Sequence, residues 1–411
     1  MITFDDVSFA YQGGIPDGSE PPALRHIHFH AERGECIVLC GKSGCGKTTM
    51  LRMVNGLVPN FYQGRLEGDI TVGNVHIKEA SLPQVAAVVG SVFQNPRTQF
   101  FHLDTTGEMA FNMENLNIPH DKMVERLKET AWKLDIQTLM DRDIFQLSGG
   151  EKQQIACGSV YASMPEVIVM DEPSSNLDME SIRKLQDLIR TMKDEGKTIL
   201  ISEHRLWYLE DIADRYVLLK DGQIENEFTS DEILALSLQE LEQSGLRAVR
   251  RKQLWNMGTR TIRQEKDMEK AAFLEIEGLR FSRQMRQVLD INRLAIPKGA
   301  IVAVIGENGA GKSTFALCLC GLLKHHGTVR INGERISNKK LPEQAYLVMQ
   351  EPGHQLFSDS VLGELMLNKG TVTETKAVAV LAKMGLAGLE NRHPGSLSGG
   401  QQQRLSLSYA V

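Results

Sequence analysis

One glycine-rich pattern occurs twice in this chain and constrains what each half can fold into. GKSGCGKTT (41–49) and GENGAGKST (306–314) both fit G-x-x-x-x-G-K-[ST]. Each follows an apolar run, ECIVLC (35–40) or AIVAVI (300–305), and opens a stretch with helical spacing. The predicted local structure is strand, tight loop and helix, twice over. Gly41, Gly44 and Gly46 in the first copy, and Gly306, Gly309 and Gly311 in the second, let the backbone wrap an anion. The loop amides and the helix N-terminus then face its charge. Lys47 and Lys312 would reach the outer phosphates of ATP, and Thr48 and Ser313 would offer a hydroxyl to Mg2+. Ser43, Thr49, Asn308 and Thr314 complete the candidate phosphate-binding set.

At 411 residues the chain is long enough for two domains. Hydrophobic residues make up 42% and charged residues 24%, the balance of a globular protein with a core. The net charge of −6 gives no electrostatic support for nucleic acid as a partner. No apolar run reaches the ~18 residues a membrane-spanning helix needs. The start, MITFDDVSFAY, reads as a strand and not as a signal peptide. Membrane association is therefore expected only through partners. Cys36, Cys40, Cys45, Cys157, Cys318 and Cys320 form no CxxC pair and sit mostly in apolar segments, which fits a reducing compartment.

The halves are repeats. ITFDDVSF (2–9) resembles LEIEGLRF (274–281), Gln94 matches Gln350, and LSGG occurs at 147–150 and 397–400. The first copy is expected over 1–230, with 11–23 as a Gly/Pro-rich loop. Residues 231–272 read as a charged linker, with EILALSLQELEQSG as a short helix; the second copy is expected over 273–411. In the first copy EVIVMDE (166–172) and KTILISEH (197–204) read as buried parallel strands around the helical SIRKLQDLIRTMKDEG (181–196), giving an α/β sheet. The positions that match Asp171, Glu172 and His204 fall beyond residue 411, so the second domain is expected to be incomplete at its C-terminal end, and less stable for it.

The first copy supplies the parts that phosphoryl transfer needs. Asp171, at the end of an apolar strand, can hold hydrated Mg2+. Glu172 can orient or deprotonate the attacking water. His204 follows the next strand and can contact the terminal phosphate.

Taken in order, the phosphate loop, Gln94, LSGGEKQQ, VIVMDEPSSNLD and EHR resemble an ATP-binding-cassette ATPase. The resemblance covers all of the first copy and the whole second copy as far as it extends. It implies a P-loop α/β fold in which each cassette carries a helical subdomain. It also implies that ATP lies between a phosphate loop and the LSGG of a facing cassette. By that analogy one site combines Tyr11 (as an adenine platform), Lys47, Thr48, Gln94, Asp171, Glu172 and His204 with Ser398, Gly399 and Gly400. The other combines Lys312, Ser313 and Gln350 with Ser148, Gly149 and Gly150. Gln94 and Gln350 are also implied metal contacts. Departures are Arg283 at the place of Tyr11, and Glu151 and Gln154 in the first signature where Gln and Arg are usual.

A narrower resemblance lies in VFQNPRTQFFHLDTTGEMAFNMENLNIP (92–119), repeated loosely in VMQEPGHQLFSDSVLGELML (348–367), and in 202–224. These segments are similar to the energy-coupling-factor ATPases of vitamin and metal-ion uptake. That implies a peripheral ATPase on the cytoplasmic face of the membrane, bound to energising and substrate-binding membrane subunits. Docking is expected beside 94–119 and 350–367, with Glu108 and Glu364 as test charges if exposed. The rival is a soluble tandem cassette on ribosomes or DNA, which the acidic chain disfavours. A nucleotide-binding regulator without turnover is disfavoured by Asp171, Glu172 and His204.

Two further features stand out. His26, His28 and His30 should share one face of a strand, with no nearby carboxylate or cysteine pattern that completes a metal site, so they read as a solvated strand face; His325 and His326 read as a turn. Cys45 lies within the phosphate loop, where amides and Lys47 would favour its thiolate and leave it open to ATP-protected alkylation.

Overall fold

In a computed structural model of the chain, residues 1–12, 22–250, 272–283, 286–367 and 373–409 are described. The parts of the expected loop and linker at 13–21 and 251–271 lie outside these residues. The chain divides into two units, Met1–Arg260 and Thr261–Val411.

The first unit's strands are β1 (Ile2–Tyr11), β2 (Leu24–Ala31), β3 (Cys36–Cys40), β4 (Gly64–Val72), β5 (Val75–His76), β6 (Val89–Val92), β7 (Val167–Asp171), β8 (Thr198–Ser202), β9 (Arg215–Lys220) and β10 (Gln223–Thr229). An antiparallel sheet runs in the order β2-β1-β4-β5, and a six-stranded sheet in the order β10-β9-β3-β8-β7-β6. In the latter, only β10 is antiparallel. β3 and β8 are buried along their whole length because both faces of the sheet are covered. Cys36, Val38, Ile168 and Ile199 join one core cluster. Ile37, Leu39, Val167 and Leu200 join the other, with β1, β2 and the helix Lys47–Val54. This two-sided burial explains why the strands read as unbroken apolar runs rather than as alternating ones.

The expected helical subdomain is formed by Thr105–Asn115, His120–Lys133 and Gly149–Ala162, packed through Met109, Ala131, Leu134 and Ile155. The helix expected in 232–245 is present as two short helices, Ser230–Ala235 and Leu238–Gln243, but it is not a tether: Ile233, Leu241, Leu246 and Val249 are buried in the main core. The stretch read as linker is thus, to residue 250, part of the first unit. Its charged surface masked the few apolar anchors that hold it down.

The second unit repeats the antiparallel sheet, in the order β12-β11-β13-β14, from β11 (Ala272–Arg283), β12 (Arg286–Pro297), β13 (His326–Ile331) and β14 (Glu334–Ile336). His326 opens β13, where a turn was expected. The apolar run 300–305 is not a strand, and Ile301 and Ile305 stand in solvent. Its counterpart β3 is hydrogen-bonded between β8 and β9. Among the described residues of the second unit no strand plays either part. Apolar content alone does not make a strand when the backbone has no ladder to join. A small helical cluster around Val361, Leu365, Leu381 and Leu405 has its own core.

Hydrogen exchange should report this difference directly. Amides at 37–40 should exchange only with unfolding of the first unit, and those at 301–305 at nearly open-chain rates. Equal protection at the two segments would contradict the pairing described.

Candidate functional site

Parallel strands deliver their loops to one edge of a sheet. Here the phosphate loop follows β3, Gln94 follows β6, Glu172 follows β7 and His204 follows β8. The first turn of the loop admits only glycine: Gly41 has φ 135°, and a Cβ there would lie 2.2 Å from the Leu219 carbonyl oxygen. Lys47 is buried, and its Nζ donates to the carbonyls of Gly41 at 2.9 Å and Lys42 at 3.1 Å. The loop thus encloses its own cation.

Beside it, Thr48 Oγ1 donates to Asp171 Oδ1 at 3.2 Å, and Ser202 Oγ also donates to that oxygen. Glu172 is held from both sides. Gln94 Nε2 donates to its Oε2 at 3.0 Å, and His204 Nε2 lies 3.1 Å from its Oε1. The His204 hydrogen bond, with the charges of Lys47 and Arg247, keeps the Glu172 carboxyl below its usual range although burial opposes this. Glu172 also has φ 43°, a left-handed conformation that a non-glycine residue adopts at a cost, as residues at functional sites do. The predicted set Lys47, Thr48, Gln94, Asp171, Glu172 and His204 is therefore brought together. Tyr11 lies further out. Its ring packs edge-on to Phe9, its hydroxyl bonds Thr49 Oγ1 at 3.0 Å, and Arg52 donates to that hydroxyl at 3.3 Å.

Sequence reasoning missed Glu203. This buried carboxyl accepts from the Ser174 amide and hydroxyl, from the His204 amide at 2.5 Å, from the Arg205 amide at 3.0 Å and from the Tyr208 hydroxyl at 3.0 Å. It ties the segment after Glu172 to the backbone that carries His204. Its position in SEHR was the available signal, because a carboxylate just after a buried strand needs donors.

The signature serines are helix caps. Ser148 Oγ accepts from the Glu151 amide at 3.3 Å, and Ser398 Oγ from the Gln401 amide at 3.3 Å. Gly149–Gly150 and Gly399–Gly400 open the helices that follow. In the second unit Lys312 repeats the self-cradle, donating to Gly306 at 2.7 Å and Glu307 at 2.6 Å, and Gly309 and Gly311 keep the positive φ of their counterparts. Here the loop is open: Ser313 and Gln350 are exposed, Thr314 is half-buried, and Asn308 is on the loop surface. Arg283 ends β11 in solvent.

Three expectations need correction. Cys45 is buried, with its Sγ 3.9 Å from Lys47 Nζ, and burial pushes its thiol up in spite of that lysine. The thiolate that the loop amides were expected to favour is not favoured, because desolvation outweighs them. Glu108 and Glu364 are not surface charges; they are 2% and 1% exposed. Glu108 Oε2 accepts from the amides of Phe101 at 2.8 Å and His102 at 2.9 Å, and Glu364 Oε2 from those of Phe357 at 2.9 Å and Ser358 at 2.6 Å. Each holds a loop whose apolar tip faces solvent, with Phe101 74% and Phe357 81% exposed. A second clamp also repeats. Gln99 Oε1 accepts from the Phe93 amide at 3.2 Å, and Gln355 Oε1 from the Met349 amide at 3.1 Å, so each clamps the residue just before the matching glutamine of its copy, Gln94 or Gln350. Third, carboxylates do face the β2 histidines, from β1 and from beyond the strand end. His26 Nδ1 lies 2.8 Å from Asp6, His28 Nε2 3.6 Å from Asp6, and His30 Nε2 3.2 Å from Glu32. Among the described residues, however, no group of three or more His, Cys, Asp and Glu side chains is placed to hold a metal ion.

Comparison with known proteins follows the same lines. The ABC transporter family matches residues 24–175 and 289–411. A Treponema denticola protein provisionally named an ABC transporter ATP-binding protein is 40% identical over 416 residues, covering 100% of this chain and 83% of that protein. A Bacillus subtilis protein, YkoD, provisionally named an HMP/thiamine import ATP-binding protein, is 30% identical over 434 residues, covering 99% of this chain and 78% of its own. The solved structure of CbiO1 from Clostridium perfringens, part of the ABC transporter complex CbiONQ, shares the fold. Its TM-score is 0.51 at 24% identity, over 59% of this chain and 94% of CbiO1.

Two outcomes test these corrections. Cys45 should alkylate more slowly than a free cysteine at pH 7.5, with a rate that keeps rising as pH passes 9, because its thiol loses its proton only at higher pH. Glu108→Lys should lower unfolding free energy by about 3 kcal/mol, because it leaves two amides unpaired and buries a cation. Glu108→Gln, which keeps an acceptor, should cost less. Denaturant unfolding measures both.

Proposed function

The chain belongs to the ABC transporter family of ATP-binding proteins, which are ATP hydrolases, and we propose that its first unit hydrolyses ATP to drive uptake of a micronutrient through membrane subunits. The observation that carries the hydrolytic part is Glu172, held between Gln94 and His204 beside the Thr48–Asp171 pair.

In this reading Lys47 leaves the carbonyls of Gly41 and Lys42 for the β- and γ-phosphates, and the loop amides of Gly44 and Gly46 cradle them, with Ser43 at the outer phosphate and Thr49 behind. Tyr11 takes the adenine side. Thr48 and Asp171 offer hard oxygen donors 3.2 Å apart, with Gln94 nearby, a set that suits Mg2+. When bound, the ion neutralises phosphate charge. Glu172, kept below its usual pKa, is a base at neutral pH. It accepts a proton from water as the water oxygen bonds the γ-phosphorus and the bond to the ADP oxygen breaks. His204 holds Glu172 and faces the terminal phosphate. Gly306, Asn308, Gly309, Gly311, Lys312, Ser313, Thr314 and Gln350 form the corresponding nucleotide set of the second unit. Ser148, Gly149 and Gly150, like Ser398, Gly399 and Gly400, present capped helix starts to the nucleotide of a facing cassette.

The uptake part rests on similarity to YkoD over nearly the whole chain and on the two clamped loops with exposed Phe101 and Phe357. No helix among the described residues is long and apolar enough to cross a membrane, so separate membrane subunits of an energy-coupling-factor transporter would carry a vitamin or a metal ion. The ATPase would then sit on the cytoplasmic face.

Glu172→Gln should keep ATP binding and lose turnover by ~100-fold or more, because the amide keeps the shape and cannot take the proton. Lys47→Ala should weaken binding itself. Steady-state ATPase and nucleotide titration of the full chain check both, and wild-type turnover in Glu172→Gln would sink the assignment. Affinity purification from native membranes should bring down membrane subunits; ribosomes in their place would overturn the transport reading.

A further inference from the structure

Helix Leu238–Gln243 ends at Ser244 and the chain turns back at Gly245, which has φ 72°. The Gly245 amide donates to the Glu242 carbonyl at 2.9 Å, and the Leu246 amide to the Leu241 carbonyl at 2.8 Å. The left-handed φ favours glycine there, and Gly245 packs beside the Lys42 side chain of the phosphate loop. Leu246, Ala248 and Val249 are buried, so the segment is pinned on both sides of Arg247, which alone among these four stays exposed. Arg247 lines a cavity of about 220 Å³ together with Gly41, Lys42, Ser43, Glu203 and His204.

We propose that Arg247 is an additional nucleotide-binding residue of the first site, one that recognises the terminal phosphate of a nucleoside triphosphate. The cavity it lines is the one bounded by the start of the phosphate loop and by His204, the residue assigned above to the terminal phosphate. A guanidinium there can pair two phosphate oxygens with parallel N–H groups, which an ammonium cannot do. Because the residues on either side of it are buried, the Arg247 backbone is held at the edge of this cavity. The proposal places the chain's route toward the second unit in direct contact with the nucleotide, so the triphosphate and diphosphate states would pull on that segment differently. The proposal rests on the ATP site described above.

The test is ATP and ADP affinity of the full chain in a Lys312→Ala background, so that only the first loop reports. Arg247→Ala should weaken ATP binding about tenfold, equivalent to ~1.4 kcal/mol, and leave ADP binding unchanged. Arg247→Lys should recover part of the loss, because it restores charge without the fork. KM for ATP should rise more than kcat falls. Unchanged affinity for both nucleotides would make Arg247 a surface residue, and an equal loss for ATP and ADP would make the segment merely structural; either overturns the proposal. Lys47→Ala is the separate control. If it weakens neither nucleotide, the ATP-site reading fails, whatever Arg247 does.

Discussion

Everything at the candidate site depends on backbone pairing at β3. β8 and β9 hydrogen-bond it from both sides in parallel, and that ladder fixes the phosphate loop at the same edge as the ends of β7 and β8. The geometry of the candidate site follows from the ladder. Asp171 pairs with Ser202 across the sheet, and the Glu172 amide bonds the Ser202 carbonyl at 3.0 Å. The second unit shows what happens without the ladder. Lys312 still folds back on Gly306 and Glu307, because that contact is local, but 300–305 lies unpaired and exposed. A phosphate loop can form from sequence-local chemistry, whereas the grouping of Thr48, Gln94, Asp171, Glu172 and His204 needs the sheet.

Electrostatics then divides the buried charges by role. Lys47 is satisfied by its own loop carbonyls, a provisional arrangement that an incoming phosphate can replace, since ammonium hydrogen bonds to anions are stronger than those to neutral carbonyls. Glu203 is satisfied by amides and hydroxyls of Ser174, His204, Arg205 and Tyr208, and not by contact with Asp171 or Glu172. It is a fixed strut. Glu108 and Glu364 are struts of the same kind in the loops beyond the glutamines. Gln99 clamps the backbone next to Gln94, and Glu108 clamps the exposed tip, so a push on Phe101 has a short covalent and hydrogen-bonded route to the side chain that touches Glu172.

Much of this was legible in the sequence. The parallel core was visible as unbroken apolar runs, and the site as carboxylates and a histidine placed just after them. The α/β class and the grouping of Lys47, Thr48, Asp171, Glu172 and His204 followed. What failed has physical reasons. AIVAVI has strand composition, but pairing is a tertiary property that a run of residues does not carry. Beyond the expected short helix, residues 231–250 looked like a tether because five buried side chains among many charged ones leave no clear period. Glu108 looked like a surface charge because its partners are backbone amides, which no sequence displays. Cys45 and the β2 histidines show the same limit, since desolvation and cross-strand neighbours set their chemistry, and neither is written in local sequence.

The most direct test of the account is a structure of the full chain with Mg2+ and a non-hydrolysable ATP analogue. The account predicts that Lys47 Nζ moves from the Gly41 and Lys42 carbonyls onto the β- and γ-phosphates, with the metal beside Thr48 and Asp171 and the terminal phosphate between Glu172 and His204. Nucleotide bound elsewhere in the first unit, or a Lys47 still bonded to its own loop with the analogue present, would contradict it.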